Sequence, residues 1–355
     1  MDATEKFLKV LTETDGVPGY ENEIRAVLRD FMEPLGTITQ DKLGSLICNL
    51  PGHGPKVMFA GHMDEVGFMV SHVTKDGFLK FVQLGGWWDQ VLLGHRVVIK
   101  TRKGEVVGVI GAKPPHIVDA EERKRVVKKD QMYIDIGATS KKEVEAAGIR
   151  SGDPIVPQAG FAVLANGKSL LAKAFDNRIG CAITIDVLRH FREREHPNDL
   201  YGVTTVMEEV GLRGARTSAY AIDPDVAIIL EVDIAGDVPG IKPEQSKATL
   251  GEGPTIILYD RGMIPNIKLR DLFIDTASEL DLPLQLSGYF VGGSTDGAAI
   301  HLHGTGVPTV VIGVASRHIH SHGSIIHRDD YENAVKLVAA VISRLDQDTV
   351  DGLTE

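Results

Sequence analysis

The sequence predicts an α/β fold interrupted by a small β-rich unit, and three patterns carry that expectation. Short apolar runs of strand type alternate with segments of helical period towards both ends of the chain. Between them, from about Gly67 to Ala162, short β-rich runs follow one another with no long helical period. Acidic and histidine residues recur where the strand-like runs stop. The expected organisation is a discontinuous unit of residues 1–66 and 163–355, with a mixed sheet flanked by helices, and an inserted β-barrel-like unit of residues 67–162.

The elements follow in order. Thr4 to Thr12 and Glu21 to Met32 read as helices, the second with Ile24, Val27, Leu28 and Phe31 at helical spacing. Gly16, Pro18 and Gly19 fall in the connection between them. Lys56 to Ala60 is an apolar run of the buried-strand type and leads into Gly61-His62-Met63-Asp64-Glu65-Val66-Gly67. Phe68 to Val73, Phe78 to Leu84, Arg96 to Thr101, Glu105 to Ile110 and Met132 to Ile136 are the strands of the inserted unit. The charged run from Glu121 to Arg125, with Lys128 and Lys129, reads as a solvated loop inside it.

Strand and helix then alternate again. Ser169 to Ala174 precedes Phe175-Asp176-Asn177-Arg178 and a helix with Ile179, Ala182, Ile183 and Val187. Tyr201 to Met207 is a strand ending in Glu208 and Glu209, with a helix from about Leu212. Val226 to Leu230 ends in Glu231-Val232-Asp233. Thr255 to Leu258, Leu284 to Val291 and Pro308 to Gly313 read as further strands, and Ile267 to Leu280 and Tyr331 to Leu345 as helices. Asp346 to Glu355 looks like a tail.

Composition narrows the partners. With 355 residues, 43% hydrophobic and 25% charged, the chain can bury one large core or two smaller ones. Its net charge of −11 argues against nucleic acid and anionic membrane as partners. Cys48 and Cys181 are the only cysteines and lack the spacing of a thiolate metal or redox site, which fits a reducing cytoplasm. No apolar run has the length of a membrane span, and the first residues have no export signal.

The chemistry lies in five clusters, His62/Asp64, Asp176, Glu208/Glu209, Asp233 and His318 to His322, each after a strand-like segment. At a strand end one of two adjacent carboxylates can bind a cation while the other holds a water. Taken alone, Glu208 and Glu209 equally fit two solvated glutamates at a helix N-terminus. His62 alone fits a core histidine, Asp176 an N-cap and Asp233 a turn residue. Together they favour a two-metal hydrolase. Carboxylate and imidazole donors without thiolate suit Zn²⁺, Co²⁺ or Mn²⁺. His301 and His303 read as structural, Asp296 as a helix cap, and Arg261 either as a loop residue or as a contact for acidic substrate side chains.

Six motifs in chain order resemble those of the glutamyl aminopeptidase family, the TET-type dinuclear metallo-aminopeptidases. They are Gly61-His62-Met63-Asp64-Glu65-Val66-Gly67, Phe175-Asp176-Asn177-Arg178, Glu208-Glu209-Val210-Gly211-Leu212-Arg213-Gly214-Ala215, Glu231-Val232-Asp233, Gly293-Ser294-Thr295-Asp296 and Arg317-His318-Ile319-His320-Ser321. The resemblance implies a phosphorylase/hydrolase-like catalytic domain, an inserted β-domain used for dimerisation, and dimers assembled into a tetrahedral dodecamer. It implies two divalent ions, zinc or cobalt, held by His62, Asp176, Glu209, Asp233 and His320, with Asp176 bridging.

Under the same resemblance Asp64 orients His62 through its second ring nitrogen, and Glu208 is the general base for a metal-bridging water. The chain departs from the commoner family form at His318, where an aromatic residue is usual, and at His322, where proline is. The implied activity is removal of N-terminal residues from short peptides. A deacylase, a carboxypeptidase and, more remotely, an endoglucanase are the alternatives on the same scaffold; a catalytically silent metal-binding oligomer has no need of Glu208.

Overall fold

The computed structural model describes residues 1–290 and 293–355. Val291 and Gly292, expected at the end of a strand and in the glycine pair after it, lie outside the described residues. The opening helix Ala3–Glu13 starts at a reciprocal cap, in which Asp2 accepts from the Glu5 amide while the Glu5 side chain accepts from the Asp2 amide. Its apolar stripe of Phe7, Leu8 and Leu11 joins Ile24, Leu28 and Met32 of helix Asn22–Met32 in the main core.

An 11-stranded mixed sheet forms the framework. At its centre Asp199–Thr205, Lys56–His62, Val226–Ile234 and Thr309–Arg317 run parallel as successive neighbours. Antiparallel strands extend it on both sides, Leu46–Leu50 beside the first and Ser324–His327 beside the last. Four parallel strands therefore bring their carboxyl ends to one edge, the position at which an open α/β sheet receives ligands.

Helix Phe175–Phe191 lies across the middle of the sheet, with 13 of its 17 residues buried. Small residues permit that approach. A Cβ on Gly180 would stand 2.3 Å from the Leu230 carbonyl oxygen, and one on Gly61 would stand 2.5 Å from the Gly180 carbonyl carbon.

The inserted β-rich stretch is a closed barrel of six strands, from Gly67–Val73 to Pro154–Pro157, around its own core of Phe68, Val97, Ile99, Ile134 and Ile155. Short helical turns and one helix, Lys141–Ala146, occur within it. The charged run from Glu121 to Arg125 is exposed, as expected.

Several elements differ from the sequence expectation, which named no strand at Leu46–Leu50, Pro154–Pro157 or Ser324–His327. Val226–Ile234 and Thr309–Arg317 run several residues beyond their apolar stretches, because neighbouring strands continue to pair with them there; Glu231 and Asp233 are thus strand residues rather than a terminus. The expected tail contains helix Gln347–Gly352, capped by the Asp346 side chain and anchored by buried Val350 and Leu353. No described helix is long and apolar enough to cross a membrane.

Candidate metal centre

The edge formed by the parallel strands opens into a cavity of about 670 Å³. His62 is the last residue of strand Lys56–His62, and Glu208 and Glu209 follow strand Asp199–Thr205 after a turn. Asp176 starts the central helix, Glu231 stands on Val226–Ile234, and His320 follows Thr309–Arg317. The turns that aim these groups are conformationally demanding. Ala174, Met207, Leu212, His318 and His320 all have left-handed backbones with φ from 53° to 60°, which costs non-glycine residues energy that the surrounding packing must offset.

The donor atoms divide into two overlapping sets. Asp176 faces His62 Nε2 with Oδ1 at 3.1 Å and His320 Nε2 with Oδ2 at 3.0 Å, so each oxygen of one carboxylate addresses a different imidazole. Glu231 Oε1 stands 3.4 Å from His62 Nε2, and Glu209 Oε1 stands 3.3 Å from His320 Nε2. Glu208 Oε2 overlooks the first set at 3.8 Å from His62 Nε2. Donor atoms of His62, Asp176 and Glu209 all lie within 4.8 Å of one another.

Electrostatics favours cations here. Burial pushes Glu208 well above the usual carboxylate range; His62 opposes that shift, and Glu209, Asp296 and Glu231 add to it. Burial likewise raises Glu209, and takes Glu231 to about 8. Burial alone would lower His62 and His320, yet the surrounding carboxylates raise His62 well above its ordinary value and His320 to about 11. Asp176 is held low against burial by the two histidines. Carboxylates this crowded keep protons that divalent ions displace on binding, and among the described residues the buried Oε1 of Glu209 has no partner in hydrogen-bonding geometry, the His320 ring nitrogen standing 3.3 Å away. The oxygen and nitrogen donors suit borderline divalent ions, so the residues fit the implied metals.

Two expected roles change. Asp233 is not brought to the cavity. It is almost wholly buried beside the hydroxyls of Thr255 and Ser287, two residues further along the strand than Glu231. Glu231, two residues earlier, occupies the place expected of it, with Asn177 Nδ2 donating to its Oε1 at 2.9 Å.

Asp64 acts differently as well. His62 Nδ1 lies 3.0 Å from the Asp64 backbone carbonyl and 3.5 Å from its carboxylate. The Asp64 carboxylate instead accepts the amides of Glu208 at 3.0 Å and Glu209 at 3.2 Å. It therefore orients the glutamate pair, while the main chain orients the imidazole.

The other histidines separate by their contacts. His318 is exposed, His322 stacks on His95, and His327 caps helix Arg328–Ile342. His301 contacts the Gly297 carbonyl and His303 contacts Asp223, both structural. Asp296 makes no side-chain cap; it is buried, bonded to the Thr205 hydroxyl, and burial raises it to about 6. Arg261 is exposed and does not line the cavity.

Sequence reasoning missed the contribution of the barrel. Gly85 and Gly86 lie against the site, and a Cβ on them would come within 2.8 Å of Glu209 Oε2 and 3.0 Å of His320 Nδ1 respectively. The Gly-Gly-Trp-Trp run at 85–88 was the available signal.

Known proteins share this architecture. The sequence profile described as M42 glutamyl aminopeptidase matches residues 44–337, and one named AMPT matches residues 2–28. FrvX of Escherichia coli is 42% identical over 99% of this chain and 98% of its own length. The glutamyl aminopeptidase of Lactococcus lactis is 35% identical over 97% of each chain. Among solved structures, a TET aminopeptidase from a marine-sediment thaumarchaeote superposes with a TM-score of 0.96 at 49% identity, covering 99% of this chain and 100% of that one. The TET1 peptidase of Pyrococcus horikoshii, which can assemble into a tetrahedron or a large octahedral shell, superposes with a TM-score of 0.86 at 31% identity, covering 96% and 99%. With matches of this extent and a carboxylate-imidazole centre on the same edge of the sheet, the chain belongs to the M42 glutamyl aminopeptidase family and is a peptide hydrolase of the aminopeptidase class.

Proposed function

We propose that the chain removes N-terminal residues from short peptides, with His62, Asp176, Glu231, Glu209 and His320 as the ligands of two divalent ions and Asp176 shared between them. The observation that carries this reading is the paired facing of Asp176, one oxygen to each imidazole. Zinc or cobalt in that donor set supplies Lewis acidity, which lowers the pKa of water and polarises the scissile carbonyl.

The protein's own groups supply the rest. Glu208 accepts the proton of the attacking water and returns it to the leaving amine, a task suited to a carboxyl that its surroundings shift upward. Asp64 holds the main chain of Glu208 and Glu209 at the required positions. The substrate's α-ammonium group is drawn to this carboxylate-lined cavity, which makes a free N-terminus a requirement.

The side chain of the departing residue lies against Leu212, Val232, Ile234 and Ile319 in the same cavity. Its described lining contains neither lysine nor arginine, so apolar N-terminal residues are preferred over glutamate. Residues 67–162 form the dimerisation unit, with Val82, Val107 and Val109 exposed on the barrel strands. Dimers assemble further into a tetrahedral dodecamer, and the enzyme works in the cytoplasm.

The test is hydrolysis of a panel of free-amine and N-acetylated aminoacyl chromogenic amides, before and after chelation and after Zn²⁺ or Co²⁺ is restored. Cleavage confined to free-amine substrates, abolished by chelator, restored by metal and faster for leucyl than for glutamyl amides, is expected. Equal cleavage of acetylated substrates contradicts the reading.

A further inference from the structure

A second open cavity, of about 620 Å³, adjoins the metal centre. The two share Ile319, and the barrel turn serves both, with Gly86 lining the first and Trp88 the second. Their chemistry differs sharply. Asp176, Glu208, Glu209 and Glu231 line the first, whereas no acidic residue, lysine or arginine lines the second.

The second cavity is walled by indole and imidazole rings that are stacked in place. His95 and His322 lie face to face with centroids 3.9 Å apart and planes 12° apart. Trp87 sits 5.3 Å from His322 and itself stacks on Phe68 at 4.8 Å, tying the wall into the barrel core. Trp88, 62% exposed, stands at the rim. Such a ring-walled, preorganised surface, which also carries Val91 and Ile319, receives an apolar or aromatic side chain.

We propose that this cavity binds the side chain of the residue immediately beyond the scissile bond and favours an aromatic or large apolar one. This rests on the aminopeptidase reading above. The substrate's ammonium end enters the carboxylate-lined cavity, so the next residue leaves it over the shared Ile319 and beneath the barrel turn, where the ring wall begins.

The experiment compares metal-loaded protein on tripeptides that share their first and third residues and carry Phe or Gly second. The expected kcat/KM is about tenfold or more higher for the Phe peptide. Trp88→Ala and His95→Ala should each bring that Phe:Gly ratio towards one. A ratio near one in the unaltered protein, or one that survives both substitutions, overturns the inference. Cleavage of free-amine aminoacyl amides without cleavage of either tripeptide also overturns it, and leaves standing the hydrolysis of free-amine substrates but not of short peptides. Absence of cleavage of both substrate classes overturns the two together.

Discussion

Glu231 and Asp233 show where residue identity stops being enough. Both are acids on one strand, two positions apart, and the sequence alone does not distinguish the one that meets His62 from the one enclosed by Thr255 and Ser287. The choice depends on how far the strand continues and what pairs with it, and both are tertiary facts. The clusters at His62, Asp176, Glu208/Glu209 and His318 to His322 were legible because each follows a strand-like run, whereas the choice of His320 within the last cluster came from the family resemblance. Glu231→Ala should therefore lower bound metal and turnover together, while Asp233→Asn should retain the metal content of the parent protein, as measured by elemental analysis after dialysis. Asp176→Ala should lose metal from both positions, since its two oxygens serve both imidazoles.

Elements reach the site through tight contacts and buried charge. Gly85 has φ +85°, and an added Cβ would stand 2.6 Å from Val66 Cγ1 and 2.8 Å from Glu209 Oε2. Gly85→Ala is expected to cost about 1–3 kcal/mol in stability and to weaken metal binding, read by denaturant unfolding and metal titration.

Behind the His62 strand, Lys173 Nζ bonds Glu65 at 2.6 Å and Asp15 at 2.8 Å, while barrel residue Lys100 bonds Asp15 at 3.1 Å. Lys173→Met should lower unfolding free energy by about 3 kcal/mol, because it strips a buried carboxylate of its nearest cation. Helical and strand segments were largely readable from apolar period, including the five barrel strands named from the sequence. The barrel's closure and the terminal helix were not, since closure depends on long-range pairing and Val350 and Leu353 reveal their purpose only when a core receives them.

The whole molecule adds pH dependence and assembly. Burial works to raise Asp15, but Lys173 and Lys100 outweigh it and hold the carboxyl below its ordinary value. A carboxyl depressed in the folded state contributes stability above its unfolded pKa, and that contribution is lost as the pH falls through the folded value. The stability difference between the parent protein and Asp15→Asn should therefore be constant near neutrality and narrow below about pH 4. A difference independent of pH would contradict the ionic role. Sedimentation should show a species far larger than the 38.4 kDa chain, and a monomer would remove the proposed assembly.

The central claim is that Glu208 moves the proton while neighbouring residues hold the metals, and the most direct measurement is turnover and metal content of Glu208→Gln side by side with the parent enzyme. The expected result is an unchanged complement of metal with kcat lower by about 10²- to 10⁴-fold. A near-normal kcat in the fully metallated variant would contradict it.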